Sequence, residues 1–467
     1  MTGPWTSASA IAAAVAGGGT TAAAVAEAAL ARIAAENPAL NAYTDVTAAR
    51  ARAEAAAVDA AVAAGRPAGP LAGVPYAVKN LFDVAGLPTR AGSRINRERG
   101  PAGADALLVR RMAAAGAVLL GTLNMGEYAY DFTGENAHDG PCRNPHDPGR
   151  MSGGSSSGCG AATAAGIAPI SLGSDTNGSL RVPASLCGIF SLKPTFGRLS
   201  RAGTFPFVDS LDHLGPLARS ATDLALAYDA LRDPDPGLPD TPVRPRIGIL
   251  GGWFHDNAGE TARTAVARAA EVLAPHADLG TLRLDEAEAG RAAAYLLTNA
   301  ESAEFHLPRL RARAADFDPD TRDRFLAGAL LPAAWIARAR RARRWWLDHA
   351  LAAFAHHDLL LAPATPCPAP VSGARTLAIA GRAFPLRPTL GLLAQPFSCI
   401  GLPVVTVPVF DPGDLPIGVQ IIAPPWREAA ALDAARLLED LGRAIAHPPG
   451  SRDHATPPLP GTIAAAG

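Results

Sequence analysis

The chain has 467 residues, about three times the usual ~150-residue domain, so it can bury a large core and is neither a mini-protein nor a disulfide scaffold. Its 42 Lys and Arg nearly cancel its 43 Asp and Glu, leaving no global field to gather nucleic acid or an acidic membrane. Five cysteines, Cys142, Cys159, Cys187, Cys367 and Cys399, form no C-x-x-C pair, which argues against a zinc site and fits thiols in a reducing, cytoplasmic compartment.

Residues 1–33 are rich in alanine but have no basic start, since the first arginine is Arg32, so no export signal is read there. Apolar stretches are interrupted before the ~18 residues that a membrane-spanning helix needs. Residues 7–35 and 45–64 are expected to be helices separated by a turn at Asn37-Pro38, and residues 8–33 offer apolar helical surface. Buried strands are expected over 73–79 and 117–120, with a helix over about 104–115 between them. From 140 to 160 the chain reads as loop, dense in Pro, Gly, Ser and Asn, running into a small-residue helix over 158–165. Such a helix start presents free backbone N–H groups. Further strands are expected at 247–250, 359–361, 404–409 and 417–422, alternating with helices. This pattern is α/β: a single large domain over 1–446, with a Pro/Gly-rich tail over 447–467.

Lysine is rare. Only Lys79 and Lys193 occur, so 40 of the 42 basic residues are arginine. A buried lysine can lose its proton and act as a base, which arginine cannot do. The arginine-rich stretch Arg338, Arg340, Arg341, Arg343 and Arg344 reads as a solvated or interface helix face rather than an anion site. The pair His356-His357 reads as a helix end leading into a strand, not a metal site, and Cys159 as a buried thiol.

Three readings compete for Gly153-Gly154-Ser155-Ser156-Ser157-Gly158. A phosphate loop would end in Gly-Lys-Ser/Thr, which is missing. A nucleophile elbow, G-x-S-x-G centred on Ser156, needs a strand immediately before it, and the preceding 144–150 is turn chemistry. A structural loop is the third.

The second element is Gly173-Ser174-Asp175-Thr176-Asn177-Gly178-Ser179-Leu180-Arg181. With it the chain resembles the amidase signature family, whose marks are a Gly-Gly-Ser-Ser loop, an Asp-Thr-x-Gly-Ser segment and an earlier lysine at a strand end. Lys79, Ser155 and Ser179 stand in that order, 76 and 24 residues apart. Segments 187–188, 192–198 and 212–216 continue the likeness. The resemblance implies a mixed central sheet flanked by helices on both faces. It makes Ser179 the nucleophile, Ser155 a proton relay reached through a cis Gly154–Ser155 bond, and Lys79 the base. It also implies an oxyanion hole from the N–H groups of Thr176, Asn177, Gly178 and Ser179, a structural role for Lys193, and no cofactor or metal. At finer grain, segments 71–83, 171–183, 251–254 and 416–420 resemble a branch that cleaves small ureido or amide substrates with a small companion subunit, in a heterotetrameric arrangement. Asn177 departs from the glycine usual in the family; asparagine is the non-glycine residue that best tolerates positive φ, and its side chain adds an amide to the pocket. The alternatives are the glutaminase component of a tRNA-dependent amidotransferase, which alone would bring in nucleic acid, and a non-catalytic scaffold.

Overall fold

A computed structural model describes residues 3, 6–234 and 241–450. Eleven strands form one continuous sheet: β1 (Tyr43–Val46), β2 (Pro75–Lys79), β3 (Val118–Leu123), β4 (Ile170–Asp175), β5 (Phe190–Lys193), β6 (His213–Ala218), β7 (Arg246–Gly251), β8 (Asp278–Arg283), β9 (Leu359–Pro363), β10 (Val404–Pro408) and β11 (Gly418–Ile422). Their spatial order is β1-β3-β2-β4-β6-β5-β10-β11-β9-β7-β8. The sheet is mixed. The β3-β2-β4 and β9-β7-β8 groups run parallel, and the strands between and beside them pair antiparallel. Every residue of β2, β3, β4, β5, β6, β9, β10 and β11 is buried, as expected of strands covered on both faces; β9, β10 and β11 show it as apolar runs, whereas β4, β5 and β6 bury Gly, Ser or Pro as well.

The N-terminal helices differ from expectation. The first long helix is split into α1 (Ala8–Ala16) and α2 (Ala22–Leu40) by Gly17-Gly18-Gly19, where Gly18 takes φ +71. Ser7 and Thr21 cap the two halves, their hydroxyls accepting from Ala10 N and Ala24 N. Pro38 sits inside the last turn of α2, and the chain turns later, at Asn41 in the left-handed region (φ 53). Residues 43–46 are an edge strand before α3 (Ala48–Ala63), not part of a helix. The apolar face of 8–33 is not free surface: Ile11, Val15, Val25 and Ile33 are all buried in the protein's own core.

The expected helix near 104–115 is α4 (Leu107–Ala114). The 140–160 stretch contains a small hairpin, Arg143–Asn144 against Asp147–Met151, before α5 (Ser157–Ala164). Farther along lie α6 (Arg181–Cys187), α7 (Ala221–Leu231), α8 (Ala287–Arg313), α9 (Pro319–Ala329) and α10 (Ala333–Ala353). On α10, Arg338, Arg340, Arg341 and Arg344 are exposed, the solvated face anticipated, while Arg343 donates to Ser210 O. Residues 356–357 link α10 to β9. Among the described residues no helix is long and apolar enough to cross a membrane. The expected tail, from residue 451 on, lies outside the described residues.

Candidate active site

The site is built where β2 and β4 end. The two strands are parallel with Val78 opposite Leu172, so Lys79, the last residue of β2, arrives beside the Gly173-Ser174 end of β4. Carboxyl ends of neighbouring parallel strands are where α/β sheets place their ligands. Lys79 is wholly buried, and its Nζ lies 2.7 Å from Ser155 Oγ, 3.1 Å from Ser156 Oγ and 2.9 Å from Ser174 Oγ. Burial lowers its pKa from 10.5 to about 7, because desolvation penalises the ammonium more than the surrounding carboxylates of Asp175, Asp212 and Asp131 favour it. A neutral amine has two N–H donors and one lone pair, which three hydroxyls can satisfy.

The Gly/Ser loop enters α5 with a cis peptide between Gly154 and Ser155. Ser156 N donates to Ser179 O at 3.3 Å, joining this loop to the segment after β4. The crossing is close: a Cβ at Gly158 would lie 2.4 Å from Ala42 O and 2.6 Å from Asn124 N, so glycine is required there, and one at Gly154 would lie 2.6 Å from Asp131 Oδ2 and push that carboxylate aside. Ser156 Oγ donates to Ser174 O at 3.0 Å, and neither Ser155 nor Ser156 reaches the surface.

The segment 175–181 is braced by a buried ion pair that the sequence did not announce. Arg181 Nε and Nη2 donate to Asp175 Oδ2 and Oδ1, each at 3.0 Å, and Arg181 Nη1 donates to Gln420 Oε1 and Ala394 O. Burial alone would raise the Asp175 pKa, but the Arg181 charge and hydrogen bonds outweigh it and hold the carboxyl well below its ordinary value. Asp175 also accepts from Gly178 N at 2.7 Å and Leu180 N at 3.1 Å. Of the four N–H groups expected to face an oxyanion, that of Gly178 is turned back onto Asp175, while those of Thr176, Asn177 and Ser179 find no acceptor among the described residues. Thr176 Oγ1 is tied to Asp212 Oδ1 at 2.6 Å.

Beside this segment lies a cavity of about 230 Å³. Tyr130, Phe132, Phe207, Tyr295 and Pro388 supply its apolar wall. Its polar groups include Asn177, Ser179, Thr298, Arg324, Arg387 and Gln395. Of the serines at issue, Ser179 is the one that lines it. Arg387 is neutralised in place, with Nη1 2.7 Å from Asp131 Oδ1 and Nη2 2.6 Å from Glu135 Oε2 and 2.7 Å from Asp320 Oδ2.

The structure thus brings Lys79, Ser155, Thr176, Asn177 and Ser179 into one neighbourhood, and adds Ser174, Arg181, Arg324, Arg387 and Gln395. Ser174 and Arg181 stood within the quoted motif, yet only the β2–β4 register and the packing of α6 on β5, β10 and β11 give them partners. Arg324, Arg387 and Gln395 carried no local signal among 40 arginines and a chain of ordinary polar residues. Lys193 is buried at the end of β5, donating to Pro194 O, with its pKa lowered to about 7 by burial and the nearby Arg181. Cys159 is a buried thiol pushed up to about 12 by desolvation. Among the described residues no group of three or more His, Cys, Asp or Glu side chains could hold a metal ion.

A family model described as Amidase matches residues 24–432. The chain belongs to the amidase signature family. This amidase is 54% identical over 436 residues to AtzE of Pseudomonas sp. (strain ADP), a component of 1-carboxybiuret hydrolase, covering 90% of this chain and 94% of the relative. It is 36% identical over 466 residues to a glutamyl-tRNA(Gln) amidotransferase component of Anaeromyxobacter sp. (strain K), covering 90% and 93%. The fold superposes with TM-score 0.91 on a chain of a solved vestigial protein complex that reveals the evolutionary origins of an s-triazine catabolic enzyme, at 52% identity over 95% of this amidase and all of that chain. It is an amidase-signature hydrolase closely related to 1-carboxybiuret hydrolase.

Proposed function

We propose that this amidase hydrolyses a small ureide, 1-carboxybiuret, releasing ammonia through an acyl-enzyme on Ser179. The observation that carries the reading is the division of labour among the serines. Ser179 lines the cavity, whereas Ser155 is buried against a lysine whose pKa is lowered to about 7. In this scheme neutral Lys79 takes the Ser155 proton as Ser155 takes that of Ser179. Ser179 Oγ then bonds the carbonyl carbon, and the oxyanion is met by the N–H groups of Thr176, Asn177 and Ser179. Collapse breaks the C–N bond, the proton held by Lys79 returns through Ser155 to the departing nitrogen, and water repeats the sequence to free the acid.

The substrate choice rests on likeness: 54% identity to the carboxybiuret hydrolase component, compared with 36% to the amidotransferase component. The reading includes a catalytic domain over 1–446, a small companion subunit, supported by the complex described for the solved relative, and a cytoplasmic location, supported by five unpaired thiols. The test is ammonia release from 1-carboxybiuret, biuret, glutamine and simple amides by wild type and Ser179→Ala. Activity confined to the ureides and lost in the variant, with a trapped acyl adduct on Ser179 by mass spectrometry, is the expected result. An adduct on Ser156 would restore the nucleophile elbow, and glutamine as the preferred substrate would favour the amidotransferase alternative.

A further inference from the structure

The cavity beside Ser179 contains polar groups whose hydrogen-bonding capacity the protein leaves open. Asn177 is only 6% exposed; its Nδ2 donates to Thr298 Oγ1 at 2.8 Å, and its Oδ1 is buried without a partner. Gln395, 4% exposed, opens the short helix Gln395–Cys399, and its Oε1 is buried without a partner as well. Both side chains line the cavity. Arg324, on α9, stacks on the Tyr130 ring with its guanidinium carbon 3.9 Å from the centroid, and its Nε and Nη2 donate to Asp320 O and Tyr130 O. Its Nη1 has no acceptor, and no carboxylate pairs with Arg324, among the described residues. Arg387 differs, being held by three carboxylates.

A buried acceptor left without a donor is costly, so two in one small cavity specify a ligand that brings N–H groups along its length. An arginine packed on an aromatic face with an open N–H edge specifies an anion, and carboxylate suits the fork. A simple alkyl amide offers neither feature beyond its scissile group. A carboxylated biuret offers both, and its size suits about 230 Å³.

We infer that Asn177, Gln395 and Arg324 set the specificity of this site for an anionic ureide: Asn177 Oδ1 and Gln395 Oε1 accept its N–H groups, and Arg324 Nη1 donates to its carboxylate. The inference rests on the reading of the chain as a Ser179-dependent amidase.

The experiment compares kcat/KM for 1-carboxybiuret, neutral biuret and propionamide in wild type, Arg324→Gln, Arg324→Lys and Gln395→Leu. Arg324→Gln is expected to lower kcat/KM on 1-carboxybiuret by about 100-fold, chiefly through KM, and to collapse the preference for the anion over biuret, with Arg324→Lys restoring part of it. Gln395→Leu is expected to lower both ureides about 10-fold relative to propionamide. Binding of 1-carboxybiuret to Ser179→Ala, with and without Arg324→Gln, reads the same loss by calorimetry without turnover. Equal losses on all three substrates, as a merely structural role would produce, overturn the assignment, as does an unchanged preference. Turnover of propionamide but of neither ureide overturns the substrate reading itself, whereas Ser179-dependent ureide cleavage with unmoved preferences overturns only the roles of these three residues.

Discussion

Lys79 carries two opposed demands, and both are measurable. The proposed role needs an amine that can be neutral, so Lys79→Arg is expected to be as inactive as Lys79→Ala, with kcat down by at least about 1000-fold. Turnover within tenfold of wild type in the arginine variant would remove the base assignment. For wild type, kcat is expected to rise with pH through about 7 and then level off, because only the deprotonated amine accepts the Ser155 proton. The same shift acts on stability. The folded pKa lies near 7 and the unfolded one near 10.5, so between these values the unfolded chain binds more protons and stability rises with pH. The cost of the buried lysine is full below about pH 7 and relieved toward 10.5. Lys79→Met should therefore gain on wild type by on the order of 2–3 kcal/mol more at pH 6 than at pH 9, read from urea midpoints. A gap independent of pH would mean that Lys79 titrates near its ordinary value.

At the scale of elements, the segment between β4 and α6 is held by one bidentate ion pair. Asp175 is the last residue of β4 and Arg181 the first of α6, both fully buried, and their contact fixes the turn that presents Ser179. Such a pair is weak evidence of net stabilisation, but removing one partner strands a buried charge. Arg181→Leu is expected to cost about 3–5 kcal/mol in chemical denaturation. Arg181→Lys should recover little, since one ammonium cannot span both Asp175 oxygens, Gln420 Oε1 and Ala394 O. A loss under about 1 kcal/mol for the leucine variant would show that the segment is held by its backbone alone.

For the whole molecule, the proposed companion subunit makes a solution prediction. Co-expression with a small partner is expected to raise the specific activity or solubility of this chain. Full activity of a monodisperse chain made alone, unchanged by the candidate partner in light scattering and ammonia release, would leave a free-standing amidase. The apolar helices α1 and α2 are not the surface for such a partner, because their apolar faces already close over α3, α7 and the sheet. Exposed apolar side chains lie elsewhere, as at Leu330 just after α9 and Trp335 in the first turn of α10.

The sequence alone determined what short-range chemistry determines. Unbroken apolar runs mark the strands at 75–79, 359–363, 404–408 and 418–422. The lone pair of lysines among 40 arginines draws attention to Lys79, and the Gly/Ser loops with their spacing carry the family. Strands at 170–175, 190–193 and 213–218 escaped, since they include Gly, Ser or Pro and are stabilised by neighbours on both sides rather than by their own propensity, and the edge strand at 43–46 is a short polar stretch held by one neighbour. Tertiary structure decided which groups meet. Parallel register put Ser174 beside Lys79, and the folding of α6 gave Asp175 its arginine. The packing of α8 on α9 and on the helix Gln395–Cys399 put Thr298 and Arg324 on one cavity with Asn177, Ser179 and Gln395, and it paired Asn177 with Thr298, 121 positions away, which no local pattern encodes.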